Sequence, residues 1–273
     1  VLSSTVRLAT GLRTRVVDSG GAGPALVLVH GLANAIEIWD RVRPRLAERF
    51  RVVAFDLPGF GLADRPDGAY DGAFFAEHLR ALLEALDIAR AHLVGSSLGA
   101  SLLLHLFALS PERFDKAVLA APGGFGRRTH PLMRLPALPL IGPWLGRPTP
   151  FNNRLTLRLA MHDPRHVTPA LLDLTNLYAA LPGSERSFVR TLRSGVGLLG
   201  GKDLDRVEAL ARRFDRPTLV LWGREDRVFP ARYAARAAAL LPRSDLRLID
   251  SCGHYPHWEQ PERFAEAVEA FLG

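Results

Sequence analysis

Short strand-like runs, most of them apolar, recur along this chain, and most are followed by a stretch with helical spacing. They cover residues 25–29, 51–55, 92–94 and 116–121 in the first half, and 217–222 and 246–250 near the end. A strand that is apolar on both faces belongs inside a sheet covered on both sides. Strands alternating with helices at this spacing predict an α/β fold, a parallel sheet with helices on both faces. The helices are expected over 36–49, 72–86, 98–109, 231–241 and 261–272, and a hairpin over 5–9 and 14–18, turning at Gly11, opens the chain.

The rhythm breaks between Pro122 and Asp205. Pro131, Pro136, Pro139, Pro143, Pro148 and Pro150 interrupt an apolar segment that then turns helical. The expectation is a lid inserted at 122–205 into a core domain made of 1–121 and 206–273. Met133, Leu135, Leu138, Leu140, Ile141, Trp144 and Leu145 would then cover something. An insertion after a strand's C-terminal end lies where open α/β sheets bind ligands.

One corner of the pattern carries chemistry. Ala91-His-Leu-Val-Gly-Ser-Ser-Leu-Gly-Ala100 reads as a strand running directly into a helix, with Gly95 and Gly99 two residues either side of Ser97. Glycines at those positions let the chain reverse sharply and push the serine out at the tip. Holding a non-glycine residue in such a turn costs about 1–3 kcal/mol, which favours a use for the exposed hydroxyl.

A serine hydroxyl needs a base within hydrogen-bond reach, and the base needs a partner that holds its tautomer. Asp226 and His254 each follow the C-terminal end of an expected strand, as Ser97 does, so the three can converge on one edge of the sheet. Their order, Ser then Asp then His, is the order that goes with the Gly-x-Ser-x-Gly corner. Glu225 adjoins Asp226 and is the competing acid. His30 is read as shaping its loop, and His105, His162 and His166 as structural or exposed. His257 forms only a bare His-x-x-His with His254, too little for a metal site. Gly195-Val-Gly-Leu-Leu-Gly200 spells a dinucleotide fingerprint without an apolar strand leading into it, so it is read as chance. Arg127, Arg128 and His130 are read as a solvated edge.

Taken together, His30-Gly31, Asp56-Leu-Pro-Gly-Phe-Gly61, Gly95-Ser-Ser-Leu-Gly99, Trp222-Gly-Arg-Glu-Asp226 and Gly253-His254 resemble the α/β-hydrolase superfamily over essentially the whole length. The resemblance implies a mostly parallel eight-stranded sheet flanked by helices with a helical lid, and a serine hydrolase without metal or other cofactor. It implies Ser97 as nucleophile, His254 as base, Asp226 as its orienting acid, and the amides of Leu32 and Leu98 as the oxyanion hole. Serine at the corner speaks against the haloalkane dehalogenase and epoxide hydrolase branches, which use aspartate. Within the superfamily the histidine loop, Cys252 to Gln260, is similar both to small carboxylesterases and to carbon-carbon hydrolases of aromatic ring-fission products. The departures at Leu32-Ala33-Asn34 and at Tyr255 favour an esterase for small to medium apolar acyl esters, acting through an acyl-enzyme. The ring-fission hydrolase, a cofactor-free haloperoxidase or perhydrolase, and a non-enzymatic ligand sensor are the alternatives. Val228, Tyr255 and Trp144 are expected in the substrate pocket.

Composition narrows the partners. Of 273 residues 48% are hydrophobic and 23% charged, which suits a globular chain, and no apolar run reaches the roughly 18 residues of a membrane span. Cys252 is the lone cysteine, so an internal disulfide is excluded. The net charge of +7 is spread along the chain and almost all arginine, with no reading motif for nucleic acid. The expected partner is a small-molecule ester, with a homodimer left open. The expected setting is the bacterial cytoplasm, a trimmed leader being left open by a chain that starts at Val1.

Overall fold

The computed structural model describes residues 3–273 except 129, 132–133, 135–146, 198–199 and 203. The opening hairpin pairs β1 (Ser4–Arg7) antiparallel with β2 (Arg13–Asp18) around Gly11, whose φ of +83° suits glycine. Next come β3 (Ala25–Val29), β4 (Arg51–Phe55), β5 (Ala91–Ser96) and β6 (Phe114–Ala120). A two-stranded hairpin, β7 (Val196–Gly197) and β8 (Gly200–Gly201), stands apart from the main sheet, which is completed by β9 (Thr218–Gly223) and β10 (Ser244–Ile249). The sheet has eight strands in the order β1-β2-β4-β3-β5-β6-β9-β10. Only the β1/β2 and β2/β4 pairs are antiparallel.

Each central strand feeds two cores. In β3, Val27 and Val29 join one apolar cluster while Leu26 and Leu28 join the other, and all four are fully buried. The first cluster is closed by α2 (Gly72–Ala85) and α3 (Leu98–Leu109), the second by Trp39, Leu46, Phe264 and Val268. Helix α2 starts where the Asp71 side chain accepts from the Phe74 amide, a cap worth about 1 kcal/mol.

The helix expected over 36–49 is corrected. Residues Ile36–Trp39 form a 3-10 turn and Arg43–Leu46 a single turn, α1. Pro44 explains the break: it is tolerated in the first turn of α1, but a helix running through it from Ile36 would lack its i→i−4 hydrogen bond and clash with the Asp40 carbonyl.

Between β6 and β9 the chain leaves the sheet. The described part holds α4 (Pro150–Ala160), α5 (Pro169–Ala179) and α6 (Ser184–Gly195), and then α7 (Leu204–Arg213), which packs back on α3. Thr149 and Thr168 cap α4 and α5 through their hydroxyls, each followed by a proline at the first helical position. The expectations for Met133, Leu135, Leu138, Leu140, Ile141, Trp144 and Leu145 lie outside the described residues. The glycine run at 195–200 closes α6 and enters the small hairpin, so no strand leads into it. The chain ends in α8 (Arg232–Leu240), the one-turn α9 (Pro256–Glu259) and α10 (Pro261–Leu272).

Candidate active site

Ser97 stands between the last residue of β5 and the first of α3, at φ +54° and ψ −114°. A methyl group on Gly95 would lie 2.5 Å from the backbone of Ala100, and one on Gly99 would run into the carbonyl oxygens of Val29 and His30. Both glycines are therefore required by close backbone approach. The Ser97 amide donates to the Ala120 carbonyl at 2.8 Å, which ties the corner to the end of β6. Four of the five non-glycine residues with positive φ among the described residues, Ala33, Ser97, Ala121 and Ser251, lie in loops that follow strands. Backbone strain thus gathers at the C-terminal edge of the sheet.

The three side chains singled out from the sequence meet there. His254 Nε2 lies 2.9 Å from Ser97 Oγ, and His254 Nδ1 lies 2.8 Å from Asp226 Oδ2. All three are buried. Asp226 Oδ2 also accepts from Trp222 Nε1 at 3.0 Å, and Oδ1 accepts from the amides of Val228 and Phe229 at 2.8 and 2.9 Å. Four donors fix the carboxylate in place. Glu225 is turned elsewhere, its Oε2 accepting from the Cys252 amide at 2.9 Å. A chain of this kind can draw a proton from the hydroxyl through neutral imidazole and steady the imidazolium that forms.

Beside the serine, a Cβ on Gly31 would sit 3.2 Å from Ser97 Cβ, so the 30–34 loop packs against it. Leu32 donates to no backbone carbonyl among the described residues, and Leu98, first in α3, has no helical acceptor. Ala33, at φ +59°, re-aims this loop. His30 shapes it from below: Nδ1 meets the Gly31 carbonyl at 2.8 Å while Nε2 accepts from the Leu57 amide at 2.9 Å. That pairing selects one neutral tautomer, and burial lowers the tendency of His30 to protonate.

Above the serine lies a cavity of about 220 Å³, lined by Leu98, Leu102, Val207, Val228, Phe229 and Tyr255 from one side and by Phe188, Leu192 and Val196 from the other. Val228 and Tyr255, expected in a substrate pocket, both line this cavity, and Trp144 lies outside the described residues. A second lobe of about 100 Å³ shares Leu32, Ala33, Thr156, Phe188 and Tyr255 with the first and carries Asn34, Arg65, Asn152, Asn153 and Tyr178. Sequence reading missed this polar lobe, since Arg65 and Asn34 stand in no motif of their own. It also missed His105, half-buried, as a lining residue of the apolar lobe. Burial lowers the tendency of His105 to protonate.

No group of His, Cys, Asp and Glu among the described residues could hold a metal ion. His257 is fully buried against Trp39, ring centroids 4.3 Å apart, and burial lowers its pKa to about 3. His162 precedes, and His166 ends, the 3-10 turn Pro164–His166 that follows α4, and His166 faces Arg41. Arg127 and Arg128 are exposed, as read.

Comparison with known proteins agrees with this architecture. A family model described as alpha/beta hydrolase fold matches residues 24–261. A 2-hydroxymuconate semialdehyde hydrolase of Pseudomonas putida is 34% identical over 97% of this chain and 92% of its own length. A 2-hydroxy-6-oxo-2,4-heptadienoate hydrolase of Pseudomonas putida is 32% identical over 97% and 94%. Among solved structures, a meta-cleavage product hydrolase of Pseudomonas fluorescens superposes with a TM-score of 0.83, at 28% identity, over 98% of this chain and 97% of that one.

Proposed function

The chain belongs to the α/β-hydrolase family, and on that premise we propose that it hydrolyses a carbon-carbon bond in 2-hydroxy-6-oxo-dienoates, the ring-fission class named for its relatives. Ser97 is the nucleophile, His254 the base, Asp226 its orienting acid, and the amides of Leu32 and Leu98 the oxyanion donors. The segment at 122–205 is a lid over the cavity, and residues 1–121 and 206–273 are the core that carries the triad.

The observation that carries the reading is the two-lobed cavity. One lobe lies over Ser97 and is mostly apolar there, with Asp71, His105, Lys202 and Arg206 also in its lining. The other holds Arg65, whose guanidinium donates to the Ser184 hydroxyl and to the carbonyls of Ala63 and Gly61 at 2.9, 2.9 and 2.7 Å. It has no ion-pair partner among the described residues, and burial lowers its pKa, so the charge is incompletely compensated. A substrate with an anionic end at Arg65 and an apolar acyl end beside Leu98, Leu102, Val228 and Phe229 fits this lining.

The chemistry follows from the bonds. In the 2-oxo tautomer of such a substrate the carbon next to the C6 carbonyl is conjugated, through an alkene, to the C2 carbonyl. Ser97 Oγ adds to C6 and its proton passes to His254; the oxyanion sits on the two amides, each worth about 2.7–4 kcal/mol. The C5–C6 bond then breaks, its electron pair enters the conjugated 2-oxo acid as a dienolate, and His254 returns the proton to that fragment. Water attacks the acyl-serine with the same base and releases the second acid.

A carboxylic ester is the second reading, favoured by Leu32-Ala33-Asn34 and Tyr255 beside Ser97. The test sets a synthetic 2-hydroxy-6-oxo-dienoate against a p-nitrophenyl ester series, on wild type and Ser97→Ala. A kcat/KM at least 100-fold higher for the dienoate, lost in the variant, is expected. The reverse ranking would transfer the assignment to an esterase.

A further inference from the structure

Searching beyond the triad, we infer that Glu259 is a positioning residue for the catalytic histidine, through which the loop of His254 and the end of α4 are held as one unit. The inference rests on the assignment of Ser97 and His254, and is independent of the substrate.

Glu259 closes the one-turn α9 and is 3% exposed. Its Oε1 accepts from the Gly253 amide at 2.7 Å, immediately before His254. Its Oε2 accepts from the amides of His162 and Asp163 at 2.7 and 3.2 Å, just beyond α4. The amide of His254 itself donates 2.7 Å to the Ala160 carbonyl, the last residue of α4. A Cβ on Gly253 would collide with that same carbonyl and would lie 2.7 Å from the His162 nitrogen. Two pieces of backbone 90 residues apart in sequence thus touch with no side chain between them, and one buried carboxylate takes the N–H groups of both.

The consequence is mechanical. Thr156 and Ala160 of α4 line the cavity. The element that meets the substrate is therefore bonded to the backbone that aims His254 Nε2 at Ser97 Oγ. Buried N–H groups left without an acceptor are costly, so beyond the His254–Ala160 bond it is the carboxylate that ties the two backbones together. Misplacing a general base by a fraction of an ångström lowers the rate steeply.

Glu259→Gln keeps the volume but turns an NH2 group toward N–H donors. The readout is the second-order rate at which a fluorophosphonate labels Ser97, a reaction that needs the serine-histidine pair and no particular substrate. Wild type should label quickly and Glu259→Gln at least tenfold more slowly, with kcat on any turned-over substrate falling more than KM changes. Ser187→Ala, which removes the Ser187–Tyr70 hydrogen bond between α6 and the core, is the control for stability alone and should label as wild type does. A Glu259→Gln rate within twofold of wild type, or a loss no larger than its unfolded fraction, overturns the inference. Amide exchange in the wild-type protein gives a test free of any variant. The Gly253, His254, His162 and Asp163 amides should be protected to a common degree, and independent, fast exchange at Gly253 would refute the shared seam. A wild type that does not label at all removes the triad assignment, and this inference with it.

Discussion

At the scale of single residues, the number of donors converging on Asp226 sets what its replacement costs. Asparagine can accept through one oxygen only, so Asp226→Asn either turns its NH2 toward His254 Nδ1 and selects the wrong tautomer or abandons the amides of Val228 and Phe229. The expected loss in kcat is up to about 10⁴, and a parallel Glu225→Gln, whose partner is the Cys252 amide, should stay within about tenfold of wild type. Steady-state kinetics on one substrate decides this; an equal loss in both variants would contradict the assignment of the acid. Arg65 makes a different kind of claim. Arg65→Met should raise KM for an anionic dienoate by about tenfold or more while leaving KM for a neutral p-nitrophenyl ester within about threefold, because only the former loses a charge-assisted contact. Equal changes on both substrates would reduce Arg65 to a strut between the Gly61 loop and α6.

At the scale of elements, what was legible was what repeats. The apolar runs mark β3 and β4 to the residue and the centre of β5, and Gly95 and Gly99 mark the corner, because in each case one local requirement of burial or close approach decides the residue type. The pieces that escaped depend on partners far away in sequence. Pro44 was visible, yet the broken helix around it is held by Trp39 and Leu46 packing beneath the sheet, which no window over 36–49 contains. The Asp56 network is similar. Its carboxylate is fully buried, accepts from Arg15 Nε at 2.8 Å and from the amides of Ile36 and Leu62 at 3.0 and 2.8 Å, and Arg15 goes on to Glu37, which accepts from Tyr178 of α5 at 2.9 Å. Read as sequence, Asp56 was one letter of a family motif; in the fold it joins the hairpin, the 3-10 turn and α5. Asp56→Asn removes one of the two carboxylates on Arg15 and turns an NH2 group toward the donors that carboxylate served, so it should destabilise the protein by about 3–5 kcal/mol in chemical denaturation. A loss below about 1 kcal/mol would mean that solvent reaches the network.

At the scale of the whole molecule, buried histidines determine how the protein meets acid. His78 lies on the buried face of α2 near Phe55 with both ring nitrogens unpartnered, and burial lowers its pKa to about 4; His257 is lowered to about 3, and burial also lowers His30 and His92. In the unfolded chain each would titrate near 6.5. Above that value both states are neutral and the full stability is present. As pH falls below 6.5 the unfolded chain takes up protons that the folded one refuses, so each such histidine removes about 1.4 kcal/mol of stability per pH unit until its folded pKa is reached. Urea denaturation at pH 7.0 and 5.5 should therefore show a marked loss for wild type, and a loss smaller by about 1–1.5 kcal/mol for His78→Leu. Equal losses would mean that His78 finds a proton acceptor or water in the folded state.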